Sequence, residues 1–401
     1  MASLKSLHVG YIPLVDAAPL IVARELGFAT QQGISLHLQK EGSWANIRDK
    51  VNVGHIDCAH MLAPMPLAAT LGIGHVQTTI LAPLTLSLNG NAITVSKALY
   101  DQMLEVDAAN AQKGGRAAGQ ALASVVKLRQ NKGANRLTFG TVYPFSCHNY
   151  ELRDWLAGAG IDPDQDVNLV VLPPSLMTDS LIEGQVDGFV AGEPWNSVAV
   201  DRANACILAT KRELWGLAPE KVLGVRSEWA ASHADELEAL IRAIVEAGKW
   251  LDEPPNRIHA AEVLSRPEYL NVPADIIKRA LTSGLIRHSG QEPGNDRGFV
   301  IFSREGTSQP SATYAAWLLT QMARWGQLNA DVDIVGLAAH VFSSDTYATA
   351  LQVTAEQPNK VDDAVRAAAR FDVTNISSYL EAFAISSDPV VLQQLAGNQP
   401  R

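Results

Sequence analysis

Two stretches far apart in this chain repeat one pattern, and a repeat narrows the folds open to it. Residues 53–66 read VGHIDCAHMLAPMP, and residues 183–196 read EGQVDGFVAGEPWN. Both contain Gly, any residue, a β-branched residue, Asp, a short apolar run and Pro. Gly54 pairs with Gly184, Ile56 with Val186, Asp57 with Asp187 and Pro64 with Pro194. The match extends upstream. Leu7–Pro13 (LHVGYIP) and Leu137–Pro144 (LTFGTVYP) are apolar strands carrying Gly10 and Gly140, which keep the same interval as the later pair. Between them each copy predicts a helix (20–34 and 151–161), then a second strand (34–39 and 167–173). A second helix then ends at Gly54 or Gly184, where a helix C-terminus is expected.

Each copy is therefore strand, helix, strand, helix, strand, and such alternation argues for parallel α/β sheets. Two copies predict two related lobes. Ligands of open α/β sheets sit outside the carboxyl ends of the strands, so two lobes facing each other there form a cleft. The rest of the chain reads as helical. Ser232 and Asp235 stand at capping-box spacing ahead of a stripe of Leu237, Leu240, Ile241, Ile244 and Val245. Pro254 and Pro255 are expected to stop that helix. Tyr314, Trp317, Leu318, Met322 and Trp325 share a face of a later helix and read as core rather than as a cofactor box. These C-terminal helices are expected to pad one lobe, with a frayed end at LQQLAGNQPR.

Composition excludes several classes. With 32 basic and 42 acidic residues, net charge −10, a broad nucleic-acid surface is not expected. No run of eighteen apolar residues marks a membrane span. The N-terminus passes directly into a strand-like alternation, so a secretory leader is not expected. The three cysteines, Cys58, Cys147 and Cys206, form no CxxC pair and fit a reducing compartment.

Several local motifs fail on inspection. GGRAAGQA at 114–121 has the glycines of a phosphate loop but lacks the Lys-Ser/Thr that reaches phosphate and metal. It reads as a flexible loop entering a helix. Cys147 beside His148 is no nucleophile pair, because adjacent helical residues do not face each other. HIDCAH offers His55, Asp57, Cys58 and His60 but no second ligand cluster, so no metal is expected. No catalytic triad, carboxylate pair or dinucleotide fingerprint stands out. An enzyme is not favoured, and no cofactor is expected.

The segments GYIPLVDAAPLIVARELGF, GSWANIRDKV, DCAHMLAPMPLAATLG, LNGNAITVS, HNYELRDWLAGAGIDPDQDV, FVAGEPWN and PEKVLGVRSEW fall in order along the chain. Together they resemble the nitrate- and bicarbonate-binding proteins of the NrtA and CmpA type, over residues 7 to beyond 325. The resemblance implies a two-lobe, periplasmic-binding-protein-like (type II) α/β fold with a hinge, plus a helical C-terminal segment. The expected division is 1–95 for the first part of lobe 1, 96–205 for lobe 2, and 206–401 for the return to lobe 1 with additional helices. It also implies an oxyanion site between the lobes, at positions matching Trp44, Asn91, His148, Gly192 and Lys221. Asn91 departs from the pattern, since nitrate binders carry Gln there.

Physical chemistry supports that set. Nitrate is planar, singly charged and acceptor-only, so its site needs N–H donors and no buried carboxylate. Trp44 offers an indole N–H, Asn91 an amide NH2 and His148 a ring N–H near a helix N-terminus. Gly192 lets backbone N–H approach, and Lys221 brings the full charge. Bicarbonate carries a donor and needs an acceptor, which this set lacks apart from the adjacent Glu193. Nitrate or nitrite is therefore expected. With no secretory leader expected, the chain resembles the cytosolic NasS sensor branch, whose implied partner is the RNA-binding ANTAR antiterminator NasT. The alternatives are a nitrate (or bicarbonate) ABC-transporter binding component without its signal sequence and, at greater distance, a thiamine-precursor enzyme on the same fold.

Overall fold

The structure, a computed structural model, describes residues 4–328, 331–354, 360–363 and 370–386. The C-terminal stretch expected to be frayed lies outside the described residues. Among the described residues eleven strands form two sheets. The first holds β1 (Lys5–Tyr11), β2 (Ile34–Lys40), β3 (Cys58–Leu62), β4 (Ile80–Asn89), β10 (Pro219–Arg226) and β11 (Val300–Ile301), in the order β11-β4-β10-β3-β1-β2. The second holds β5 (Asn91–Val95), β6 (Thr138–Thr141), β7 (Asn168–Val171), β8 (Gly188–Gly192) and β9 (Cys206–Thr210), in the order β7-β6-β8-β5-β9.

The repeat appears as shared topology. β2-β1-β3 and β7-β6-β8 are parallel triplets of the same order, each followed by one antiparallel strand, β10 or β5. The two repeated aspartates do the same work in both lobes. Asp57 Oδ2 accepts from His8 N at 2.8 Å, and Asp187 Oδ2 accepts from Thr138 N at 2.8 Å. Each thus ties the entry of the third strand to the first. Gly54 and Gly184 follow the helices Trp44–Asn52 and Met177–Ile182 at φ of 70° and 69°, the left-handed turn that ends a helix there.

The sheets exchange the chain at Gly90 and between Thr210 and Pro219, so Asn91–Val95 and Cys206–Thr210 belong to the second sheet. The sequence division at 95/96 and 205/206 places both strands with lobe 1. Residues 80–95 are buried almost without a break, and only the positive φ of Asn89 and Gly90 marks the crossing.

The helices after lobe 2 depart from expectation. Ser232 closes the short helix Ser227–Ser232, and the helix Ala234–Asp252 starts after it. Pro254 and Pro255 open the next helix, Pro254–Leu264, as readily as they close the previous one. Gly114 is a one-residue break between the helices Lys97–Lys113 and Gly115–Asn131 rather than a loop. The helix Ala312–Arg324 does not pad a single lobe. It packs on the helix Pro64–Leu71 of lobe 1, while Tyr314 meets Cys147 and Arg324 pairs with Asp154, both of lobe 2, and Trp317 stacks edge-on against Trp215 in the segment that returns from lobe 2. Every residue from Tyr314 to Arg324 is buried, as expected of a helix covered on all sides.

Candidate functional site

The site forms where the two lobes meet, from residues at strand ends and helix starts. In lobe 1, Asp16 sits in the single turn Val15–Ala17 after β1, and His60 lies within β3. Trp44 opens its helix behind Ser43, whose hydroxyl accepts from Asn46 N at 3.2 Å. Lys221 and Glu220 are neighbours on β10. Register shifts on both sides of Lys221 against β4 mark an irregularity of the kind that re-aims side chains. In lobe 2, Asn91 opens β5 directly across from Gly192, the last residue of β8. His148 and Glu151 lie one turn apart on the helix Cys147–Gly158, capped by Ser146. Lys211 follows β9 at a capping box formed by Thr210 and Glu213.

All five sequence-selected positions converge here. Lys221 Nζ lies 5.6 Å from the centre of the Trp44 ring. His148 Nδ1 is 3.3 Å from Glu220 Oε1. A Cβ placed on Gly192 would stand 3.4 Å from Asp16 Oδ2 and 3.6 Å from Asn91 Oδ1. The lobes are closed on one another: Val15 N donates to Glu193 O at 2.8 Å, and Arg48 Nη1 to the Tyr143 hydroxyl at 3.0 Å.

Sequence reasoning missed the carboxylates. Lys221 Nζ donates to Asp16 Oδ2 at 2.6 Å and to Glu220 Oε1 at 3.0 Å. Lys211 Nζ reaches Glu220 Oε2 at 2.5 Å and Glu151 Oε1 at 3.1 Å. His60 Nε2 approaches Asp16 Oδ1 at 3.0 Å without the alignment of a hydrogen bond. The expectation of a donor set free of buried carboxylate is therefore corrected, as is that of Lys221 as the sole positive charge. Asn91 is corrected too. Its Nδ2 donates to both oxygens of Glu151, at 3.2 and 3.3 Å, and the atom left without a partner is the acceptor Oδ1. Signals for these residues exist in the sequence. Asp16 is a lone acid in the apolar run IPLVDAAPLIV, Glu151 stands at i+3 from His148, and Glu220 adjoins Lys221.

Burial and neighbours divide the ionisation states. Burial pushes Asp16 up, but Lys221 and His60 outweigh it and hold the carboxyl below its usual range. Burial likewise pushes Glu220 up but is outweighed by Lys211, Lys221 and His148, which hold it below its usual range. Burial raises Glu151 to about 7 against the pull of Lys211, and raises Glu193 to about 7 against its bonds to Ser197. Burial lowers His148 to about 3 and also lowers His60, so both rings are neutral. Both lysines stay charged, because their carboxylate partners overcome burial.

The remaining donors are open. Trp44 Nε1 and both ring nitrogens of His148, one of which carries the neutral ring's single N–H, are buried without a hydrogen-bond partner. Such orphans cost about 1–3 kcal/mol each, and a small acceptor-bearing ligand removes that cost. Cys147 beside His148 points instead to the Tyr314 hydroxyl at 3.4 Å, and burial keeps its thiol protonated. HIDCAH divides as well: Asp57 serves the strand tie, and His60 alone enters the site. Among the described residues no group of three or more His, Cys, Asp or Glu is placed to hold a metal.

Comparison with known proteins agrees with this architecture. Residues 2–265 match the NMT1-like family. The chain is 35% identical over 348 residues to the nitrate import ATP-binding protein NrtC of Synechocystis sp., covering 86% of this chain and 50% of that protein. It thus spans about half the length of that relative. It is 33% identical over 346 residues to the nitrate/nitrite binding protein NrtA of Nostoc sp., covering 84% of this chain and 75% of that one. The crystal structure of the periplasmic nitrate-binding protein NrtA from Synechocystis PCC 6803 superposes with a TM-score of 0.83 at 28% identity, over 95% of this chain and 99% of that one.

Proposed function

The chain belongs to the NMT1-like family, among the NrtA- and CmpA-type binding proteins, and on that premise we propose that it binds nitrate or nitrite between its lobes. The observation that carries this reading is the set of unpartnered donors, Trp44 Nε1 and the His148 ring, buried beside Lys221. Binding is non-covalent: Lys221 supplies charge, Trp44 and His148 direct donors at the oxygens, and Gly192 leaves room at the lobe 2 wall. Calorimetry of the ligand-free chain tests it. Nitrate and nitrite are expected to bind, with bicarbonate and sulfate far weaker. Bicarbonate binding as tightly as nitrate, above all with calcium, sinks this ligand assignment. Gly192→Ala gives a second arm. Its Cβ is tolerated at ordinary contact distance but takes ligand space, so the fold should persist while affinity falls at least about tenfold, roughly 1.4 kcal/mol.

The proposed role is that of a cytoplasmic nitrate/nitrite sensor of the NasS kind, which holds a NasT-like RNA-binding antiterminator when empty and releases it when the anion binds. The resemblance of the sequence supports this, as does a net charge of −10 that leaves RNA to a partner. Three buried cysteines outside any disulfide suit a reducing compartment. The names of the curated relatives favour the second reading, the substrate-binding component of a nitrate transporter. Size-exclusion chromatography of both proteins with and without nitrate separates them. A complex that nitrate dissolves supports the sensor; no complex returns the chain to the transport reading.

A further inference from the structure

The site holds more negative charge than an anion can join uncompensated. Three carboxyl groups, Asp16, Glu151 and Glu220, face two ammonium groups, Lys211 and Lys221, and all five side chains are 3% exposed or less. They form one alternating chain across the lobes, from Asp16 through Lys221, Glu220 and Lys211 to Glu151, with every link at 3.1 Å or shorter. An added anion meets Lys221 only while that lysine still faces Asp16 and Glu220. A further unbalanced charge in so dry an interior is strongly disfavoured, so something positive must enter with the anion.

We infer that the site takes its oxyanion together with one proton, which passes from solvent to the carboxylate of Glu151, making Glu151 the residue that sets the pH range of binding. This rests on the anion-site reading above. Geometry singles out Glu151. Asp16 has Lys221 and His60, and Glu220 has both lysines and His148. Glu151 has only a share of Lys211 and the neutral amide of Asn91. The other groups facing it are the Glu220 carboxylate from β10, the Cys147 thiol on its own helix and the Tyr314 hydroxyl from the helix Ala312–Arg324, and burial keeps the last two neutral. Its carboxyl already titrates at about 7, whereas Asp16 and Glu220 are held below the usual range.

Calorimetric titration of nitrate into the full chain at about pH 8, in HEPES, Tricine and Tris, counts protons from the dependence of the heat on buffer ionisation enthalpy. The wild type is expected to take up about one proton per anion, and its affinity to fall about tenfold per pH unit above Glu151's range. Glu151→Gln, which keeps a neutral side chain of the same shape, should bind with almost no proton uptake and a flat profile. Tight wild-type binding without proton uptake overturns this inference alone, as does binding that requires calcium or magnesium in place of the proton. Absence of any anion binding by the wild type overturns the anion-site reading and this inference with it. If Glu151→Gln does not fold, the wild-type proton count and pH profile decide.

Discussion

At the scale of single residues, Lys221 shows how a charge proposed to meet a ligand can also be structural. It is fully buried, and Asp16 and Glu220 both bond to it. Removing one partner of such a pair leaves an uncompensated charge and typically costs about 3–5 kcal/mol. Lys221→Met should therefore lower unfolding free energy by about that amount in urea titrations. Adding Asp16→Asn should recover part of the loss, because the two positions are directly coupled. Strictly additive losses would contradict the coupling. A resemblance of sequence picks out Trp44, His148, Gly192 and Lys221, because the family pattern assigns a role to those positions and none to the acids that share their motifs. Asp16, Glu151 and Lys211 escaped because isolated charges in a sequence read as solvated, and nothing local says which of them meet across two sheets. Asn91 lies beside Gly192, but its expected role as a free donor fails, since only the packed structure shows that Glu151 consumes its NH2.

At the scale of elements, the repeat was readable because it is a matter of local physics: strand alternation, helix stripes and glycine ends. What the pattern could not give was the work of its aspartates. Asp57 and Asp187 each accept from a backbone N–H of the first strand in their own lobe. Hydrogen bonds to charged groups contribute about 1.5–3 kcal/mol. Asp57→Ala and Asp187→Ala should each cost about 1–3 kcal/mol in chemical unfolding, and the double variant should show the sum, since the sites lie in different lobes. A negligible cost at either position would remove the shared role. Element ends were read less well. The expected helix 20–34 is two pieces, Ala18–Glu25 and Phe28–Gln31, divided at Gly27 with φ 77°. The lobe 2 helix begins at Cys147 rather than at 151, because Ser146 caps it.

At the scale of the whole molecule, two lobes could be inferred from sequence, but their third connection could not. A helix buried on every side has no amphipathic stripe to announce which lobes it touches. The buried charges also shape stability as a whole. Asp16 and Glu220 are held below their ordinary range by lysines, so their contribution is present above about pH 4.5 and lost as pH falls through the carboxylate range. His148 and His60 are lowered by burial, so stability is lost as pH drops from about 6.5. Glu151 and Glu193, raised to about 7, act in the opposite sense: stability is lost as pH rises from about 4.5 towards 7. The opposed pairs offset each other between about pH 4.5 and 6.5. Tm should be nearly flat there and fall steeply below, and Glu151→Gln should turn the plateau into a rise with pH. A wild-type Tm climbing steadily across that window would count against the assignment. The helix Ala312–Arg324 carries one more consequence, for time rather than energy. A body joined at two points turns freely about the line through them; here those points are the crossings at Gly90 and 211–218. A third attachment lying off that line must let go before the turn can happen. The pairing of Arg324 with Asp154 and the contact of Tyr314 with Cys147 then act as a clock on that turn, so that how often one helix lifts would set how long anything held between the lobes stays.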